Sequence, residues 1–188
     1  IPMVRGASQT YGLTFTPGTW VESIQITKGA GSVVNGFESI SGQINTELVK
    51  PLTDAPIFVN GYTNLNGRLE LNTHLNYTLS DRWSTGVYLH GNARPFEVDN
   101  NDDGFLDAPL ANQINIQNRW QYQNPEKGWV SFFTLRYLDD EKQVGQLNFN
   151  PDTDRFTANA WGSEIDTKRF DSSLKLGNVF PELPFQSF

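Results

Sequence analysis

The sequence contains no cysteine, which excludes a disulfide framework and any chemistry that depends on a thiolate. No stretch approaches the roughly 18 consecutive apolar residues of a transmembrane helix, although alternating transmembrane strands would escape this test. Basic residues are few: the net charge is -7, so no basic stripe is available and we expect no nucleic acid partner. The first residues lack a charged leader and an apolar core. We therefore expect that a signal peptide was removed or that the sequence begins inside a longer protein.

Residues 68–79 alternate between apolar and polar side chains without interruption. The odd positions hold Leu69, Leu71, Thr73, Leu75, Tyr77 and Leu79, and the even positions hold Arg68, Glu70, Asn72, His74, Asn76 and Thr78. A period of two predicts a strand with one apolar and one polar face. Its length exceeds the usual 5–6 or so residues of globular strands and suits a tilted strand that crosses a bilayer, which takes about 9–11. A half-buried strand of a soluble sandwich alternates equally well, so the rest of the chain must decide.

The remaining chain predicts five further strands with the same alternation, at residues 57–63, 83–90, 113–122, 129–137 and 169–176. The apolar positions of neighbouring strands must share a face, and this requirement decides whether each turn has an odd or an even number of residues. The strand after residue 79 therefore needs a turn of odd length, which residues 80–82 supply. This register places His90 opposite Asn72, and His74 opposite Tyr88.

Two asymmetries favour a membrane over a soluble sandwich. The turns at 80–82 and 124–127 are short and the connections at 94–111 and 139–165 are long, as in outer-membrane barrels with short periplasmic turns and long extracellular loops. Large aromatic residues lie beside the short turns, where an aromatic girdle would meet the periplasmic interface: Tyr77, Trp83, Trp120, Tyr122 and Trp129. We therefore predict an all-β fold that is a transmembrane antiparallel β-barrel.

Residues 20–51 carry a spaced set of strand and turn residues. A first strand is followed by a Lys-Gly turn, by further small residues and by an Ile-Asn strand, and the set is Glu22, Lys28, Gly29, Gly31, Ser32, Gly36, Gly42 and Ile44. In this order and spacing, the stretch resembles the C-terminal half of the plug domain of TonB-dependent outer-membrane receptors. It departs from the family pattern at Ser23 and Gln25, where Arg and Glu are common, and at Ala30, where Pro is common. Asn35 and Ser41 also depart from it, but the turn chemistry is intact.

The resemblance implies a fragment of a barrel of about 22 strands with part of an internal α+β plug domain. Residues 1–51 would form the C-terminal part of the plug, and residues 52–188 the first six or so barrel strands, with a seventh starting near Phe185. In this reading the plug glycines allow tight turns, while Glu22 and Lys28 make polar contacts between plug and wall. The chain would thus be a piece of a longer protein.

The implied function is energised uptake of a scarce nutrient across the bacterial outer membrane. The nutrient would be a siderophore, a metal chelate, cobalamin or a glycan, and the sequence does not identify it. The TonB complex would supply the energy through a segment that precedes residue 1, outer-membrane lipid would surround the strands, and no enzymatic activity is expected.

Other functions remain open. A passive porin would conduct equally well without a plug, and a structural or adhesion protein of the outer membrane would show no energised uptake. Gly29 and Gly31 match two positions of a dinucleotide fingerprint, but Val34 occupies the third glycine position. Neither a nucleophile elbow nor a zinc-ligand spacing supports a hydrolase.

The acidic loop at residues 99–107 resembles the opening of a calcium-binding loop. Asp99, Asn101 and Asp103 occupy its first three ligand positions, Phe105 would offer its backbone carbonyl, and Asp107 follows at the ninth position. The twelfth position holds Leu110 instead of the bidentate Glu, for which Glu97 is a substitute. We predict a weak Ca²⁺ site that rigidifies this loop, and the alternative is a solvated acidic loop.

The two histidines, His74 and His90, belong to the polar face of the predicted sheet. The register makes them diagonal neighbours about 7–8 Å apart at Cα. They are candidates to contact a metal-chelate cargo, although such side chains more often only hydrogen-bond to their surroundings.

Overall fold

The computed structural model describes residues 12–30 and 42–180, which form antiparallel strands joined by turns and loops. The strands are β1 (Val21–Lys28), β2 (Gly42–Leu48), β3 (Ile57–Thr63), β4 (Leu69–Ser80), β5 (Trp83–Arg94), β6 (Leu110–Asn124), β7 (Trp129–Gly145) and β8 (Gly162–Asn178). Short 3-10 turns occupy Gly12–Phe15, Gly18–Trp20 and Pro125–Lys127. Within the described ranges, no helix has the length and apolar character that a membrane crossing requires.

The strands belong to two sheets. β1 and β2 pair with each other in antiparallel fashion, and β3 to β8 pair in chain order as a six-stranded antiparallel sheet. Each strand of the larger sheet is therefore hydrogen-bonded to its neighbours in sequence, and β3 and β8 are its edges. This sheet is open, since no described strand pairs with the free side of β3 or of β8.

This architecture shows that the prediction of a transmembrane barrel of about 22 strands with an α+β plug is wrong for this chain. The described residues form two antiparallel sheets, with neither a closed barrel nor an α-helix. Alternation fixes which face of a strand is apolar, and turn length fixes its register, but neither specifies ring closure. The predicted strand near Phe185 lies outside the described residues.

The pairing of β4 with β5 confirms the predicted register. Asn72 lies opposite His90, and His74 lies opposite Tyr88. The parity of the apolar positions was sufficient for this result because a slip of one residue would exchange the two faces of a strand.

The second long loop is shorter than predicted. β7 continues to Gly145 and β8 begins at Gly162, so the loop covers residues 146–161 and not 139–165. Among residues 140–145 of β7 and 162–167 of β8, Val144 and Ile165 are the only large apolar side chains, so the apolar alternation that marks a strand is lost. Backbone pairing with the neighbouring strand continues nonetheless.

The two faces of the six-stranded sheet have the opposite polarity to that of a water-soluble protein. We call the face that carries Leu71 and Leu75 the outer face and the opposite one, which carries His74 and His90, the inner face. The apolar side chains of the outer face are exposed; Leu71 is 57% exposed and Leu75 is 45% exposed. The inner face is polar and buried, and its buried side chains include Asn72, His74, Ser84, His90, Gln113, Asn115, Gln117, Gln121, Arg136 and Asp140. Soluble sheets bury the apolar face, so this arrangement needs another explanation.

A small aromatic core lies on the inner face, between the sheet and the segment that precedes it. Trp20 and Tyr88 are both completely buried, and their ring centroids lie 6.1 Å apart in an edge-on arrangement. Phe15 and Leu138 are also buried among the described residues. These few large side chains thereby pack the N-terminal segment, which comprises residues 12–30 and 42–50, onto the polar face.

Candidate functional site

A continuous chain of side-chain hydrogen bonds crosses four strands on the inner face, from β4 to β7. From Arg68 to Asp140 the distances run from 2.6 Å between Arg68 and Glu70 to 3.1 Å between Asn92 and Gln113. In order, the linked side chains are Arg68, Glu70, Asn72, His90, Asn92, Gln113, Asp140 and Lys142. Each end of the chain is an ion pair and the side chains between them are neutral. Every side chain in the layer therefore has a partner within it, although the buried Nε of Arg68 makes no hydrogen bond among the described residues.

The neighbours of His90 define its protonation pattern. Nδ1 lies 2.7 Å from Asn72 Oδ1, which can only accept, so Nδ1 carries the hydrogen. Nε2 lies 3.0 Å from Asn92 Nδ2, which can only donate, so Nε2 accepts. His90 is therefore a neutral link in this layer, and both of its nitrogens are already engaged.

His74 anchors the linker between the two sheets. Its Nδ1 donates to Asp54 Oδ2 at 3.0 Å, and the same oxygen accepts from Asn76 Nδ2 at 2.8 Å. The imidazole lies between the rings of Phe58 and Tyr88, at centroid distances of 4.7 and 5.0 Å. No sequence pattern indicates this pair, because Asp54 lies in a turn twenty positions away and only the fold brings it to β4.

The structure thus places both histidines that we predicted as cargo contacts, His74 and His90, on the inner face, where they contact other side chains of the protein. Among the residues described, no group of three or more His, Cys, Asp and Glu side chains is arranged to hold a metal ion. Contact between these histidines and a cargo remains a prediction.

Part of the predicted plug motif lies in the two-stranded sheet. Gly29 has a φ of 84°, as a tight turn requires, and a Cβ on Gly42 would lie 2.8 Å from the carbonyl oxygen of Thr27. Ile44 lies opposite Ile26, and both are exposed. Lys28 is exposed at the end of β1. Gly31, Ser32 and Gly36 lie outside the described residues.

Glu22 makes its ion pair within the N-terminal segment and not with the larger sheet. Lys50 Nζ lies 2.7 Å from Glu22 and 2.9 Å from Glu47, so one ammonium joins the two strands at their ends. The hydrogen bond from Lys50 lowers the pKa of Glu47, and the hydrogen bond to Glu22 raises the pKa of Lys50.

These shifts predict a pH window for the stability of the two-stranded sheet. The contribution of Glu47 is present above its ordinary pKa of 4.5 and is lost as the pH falls through the lowered value. The contribution of Lys50 is present below 10.5 and is lost as the pH rises through its raised value. Because the groups are partly exposed, we expect at most about 1 kcal/mol, measured as the pH dependence of amide exchange in β1 and β2. Lys50→Met should abolish this dependence, and an unchanged profile in that variant would contradict the assignment.

The acidic loop at residues 99–107 wraps around Asp99. The Asp99 carboxylate accepts from the backbone amides of Asp103 at 3.2 Å and Gly104 at 2.9 Å, and Gly104 has a φ of 80°. Asp107 accepts from the backbone and side chain of Asn100 at 2.9 and 2.7 Å. Asn101 donates to Asp103 at 3.0 Å, and Phe105 forms a bridge to the second long loop. The predicted oxygen ligands thus share one compact turn.

Calcium binding by this loop remains a prediction. We expect calorimetry on the wild-type protein to give a dissociation constant on the order of 10⁻⁴–10⁻³ M. Asp103→Asn should weaken binding by about tenfold, because it removes a charged ligand from the set. Asp102→Asn is the matched control: it removes the same charge at a position outside the ligand pattern, where Asn tolerates the φ of 57°. Absence of heat at millimolar calcium, or equal weakening in both variants, would show that the prediction is wrong.

No family model, curated protein or solved structure matches this chain. The resemblance of residues 20–51 to a receptor plug therefore depends on the residues of that stretch alone. Of these, Glu22, Lys28, Gly29, Gly42 and Ile44 lie in the described part of the chain, in β1, β2 and the turn that follows β1.

Proposed function

We propose that this chain serves an outer-membrane receptor that takes up a scarce nutrient with energy supplied through the TonB complex. One observation carries the proposal: the sheet exposes its apolar face and buries its polar face. Burial of apolar surface drives folding in water, so an exposed apolar face of this extent indicates different surroundings. If lipid hydrocarbon surrounded the outer face, its apolar side chains would be removed from water although no described part of the protein covers them.

The outer face carries an uncharged band of limited height. The outer-face side chains of β7 carry no charge from Trp129 to Tyr137. The next outer-face position of β7 is Asp139, which forms an ion pair with Lys168 of β8 and marks the edge of the band. On β4 the apolar positions span ten residue steps, or about 33 Å along the strand. With a tilt of about 45° this corresponds to roughly 23 Å, close to the band of about 25 Å seen in outer-membrane proteins.

The polar amide of Asn118, which lies within this band, is satisfied by its neighbours. Its Nδ2 donates to Thr85 Oγ1 at 3.2 Å and to the carbonyl of Gly86 at 3.1 Å. Its Oδ1 accepts from Trp120 Nε1 at 2.5 Å. Internal satisfaction of polar groups is the condition for placing them in hydrocarbon, and it supports lipid as the partner of this face.

The covering of the polar face favours a receptor over a passive porin. Residues 12–20 and 48–54 lie against this face through Phe15, Trp20 and Asp54. A passive pore would benefit from an open polar lining, whereas a receptor needs an obstruction that is moved when cargo passes. A siderophore, a metal chelate, cobalamin or a glycan would suit the proposal.

The proposal is tested by uptake in cells that lack the gene and in cells that carry it back on a plasmid. We expect growth on one limiting nutrient to require the gene, and uptake to stop when a protonophore or deletion of TonB removes the energy source. Uptake that persists without energy would overturn the proposal in favour of a passive pore, especially if removal of residues 12–50 leaves conductance unchanged. Absence of any uptake would favour a structural or adhesion protein instead.

A further inference from the structure

Two arginines of the larger sheet hold the N-terminal segment by its backbone. The first is Arg136 of β7, which is 6% exposed. Its Nη2 donates to the carbonyl of Phe15, and its Nε donates to Asn115 Oδ1 at 2.9 Å. Asn115 in turn donates to the same Phe15 carbonyl at 2.7 Å, so two side chains from β6 and β7 converge on one oxygen.

The second arginine, Arg119, forms hydrogen bonds with the other end of the segment. Arg119 of β6 donates through Nη1 to the carbonyl of Leu48 at 3.0 Å and to that of Val49 at 2.9 Å. The amide of Val49 donates to the carbonyl of Trp20 at 3.0 Å, which joins the two ends of the segment. The carbonyls of Phe15, Leu48 and Val49, which accept from the two arginines, therefore belong to one connected unit.

The acceptors of both guanidinium groups are neutral. Within the described ranges, neither Arg119 nor Arg136 has a carboxylate within 4 Å, although the Lys50 ammonium inside the segment has two. Cation–π contacts supplement the hydrogen bonds: Arg119 Cζ lies 4.6 Å from the ring centroid of Phe132, and Arg136 Cζ lies 5.6 Å from that of Trp20. Ion pairs and strand pairing thus hold the segment together internally, while weaker neutral acceptors attach it to the sheet.

We propose that Arg119 and Arg136 are a two-point clamp that sets how readily the segment of residues 12–30 and 42–50 leaves the polar face as a unit. The hydrogen bonds of the clamp reach backbone carbonyl oxygens, and the Trp20 ring is the segment side chain that adds a cation–π contact with Arg136. Loss of the Arg119 guanidinium removes the side-chain donor of the Leu48 and Val49 carbonyls, and loss of the Arg136 guanidinium leaves the Phe15 carbonyl with Asn115 as its side-chain donor. Either change weakens only the attachment, because β1 and β2 remain paired. The role of this release in transport rests on the proposed function, while the clamp itself does not.

Hydrogen exchange of the intact protein in vesicles tests the clamp. We expect Arg119→Gln and Arg136→Gln each to raise amide exchange in β1 and β2 about tenfold or more, since the charged donor to two segment carbonyls is lost in the first variant and the charged donor to one is lost in the second. Exchange in β5 and β6 should stay within about twofold of the wild type. Arg82→Gln is the matched control, because Arg82 is exposed and its side chain lies 3.4 Å from Glu126 outside the segment.

Conservative variants separate a clamp from a general loss of stability. Arg119 uses one nitrogen for both of its carbonyls, so Arg119→Lys should restore exchange to within about threefold of the wild type. Arg136 uses two nitrogens for two acceptors, so Arg136→Lys should not restore it. Faster exchange throughout the larger sheet, or unchanged exchange in β1 and β2, would overturn the proposal.

The outcomes also distinguish the clamp from the proposed function. Selective loosening of β1 and β2 in a protein that shows no energised uptake would retain the clamp and reject the nutrient receptor. Energised uptake together with unchanged exchange in Arg119→Gln and Arg136→Gln would retain the receptor and reject the clamp.

Discussion

Leu75→Arg is expected to lower the free energy of unfolding in a lipid bilayer by about 2–4 kcal/mol. Leu75 lies midway along β4 on the apolar face, opposite Ile57 of β3 and Val87 of β5, and it is 45% exposed. A guanidinium at this depth would have to leave water, so the variant should lose stability in hydrocarbon. In water the same exposed position would change stability by less than about 0.5 kcal/mol. Urea unfolding of vesicle-reconstituted protein, followed by tryptophan fluorescence, measures the difference.

Leu65→Arg is the matched control for this experiment. Leu65 lies in the turn between β3 and β4, is fully exposed, and falls outside the uncharged band. We expect this variant to remain within about 0.5 kcal/mol of the wild type. If Leu75→Arg and Leu65→Arg behave alike, the apolar face does not meet lipid and the membrane part of the proposed function fails.

The sequence was sufficient to predict the register and the two faces, because both follow from local alternation. Leu69, Leu71 and Leu75 share the outer face with Phe133, as their parity requires, and the predicted bounds of β3 agree with the structure. Each of these features depends only on side chains within one strand or across one turn. They could therefore be worked out without knowing what surrounds the sheet.

The extent of the sheet and its closure could not be predicted in the same way. The C-terminal end of β7 carries charges on both faces, for example at Asp140 and Glu141, and resembles a loop by composition. Closure depends on strand number and stagger, which belong to the whole sheet and not to any one strand. A local pattern typical of barrels thus led to the incorrect prediction of a closed barrel.

The contacts of the candidate site were also beyond local patterns. Arg119 and Arg136 appear in the sequence as two polar positions among many, and their acceptors lie 70 or more positions away at the carbonyls of Leu48, Val49 and Phe15. Backbone acceptors leave no trace in side-chain composition. The sequence shows only an arginine on the polar face of a strand, and this residue alone does not identify the carbonyl that it binds.

Gly86→Ala is expected to destabilise the protein by about 1–3 kcal/mol through overpacking of the inner face. Gly86 lies on β5 opposite Asn76, and a Cβ there would come within 2.9 Å of the hydroxyl oxygen of Tyr88 and also meet the Asn76 amide. The Tyr88 hydroxyl donates to Asn76 Oδ1 at 3.0 Å, and the Tyr88 ring packs against Trp20. The added methyl group would separate these partners, and urea unfolding would report the loss.

Gly61→Ala is the matched control, since Gly61 lies on the outer face of β3 and a Cβ there would have nothing within 4 Å. It should be neutral or slightly stabilising, because alanine restricts the unfolded chain more than glycine does. Equal stability of the two variants would contradict the tight packing of Tyr88 between Asn76 and Trp20. Because Trp20 belongs to the segment held by Arg119 and Arg136, Gly86→Ala should also speed exchange in β1, whereas Gly61→Ala should leave it unchanged. Packing at Tyr88 and the arginine clamp would then both contribute to one attachment of the segment, because Tyr88 and Arg136 both contact the Trp20 ring.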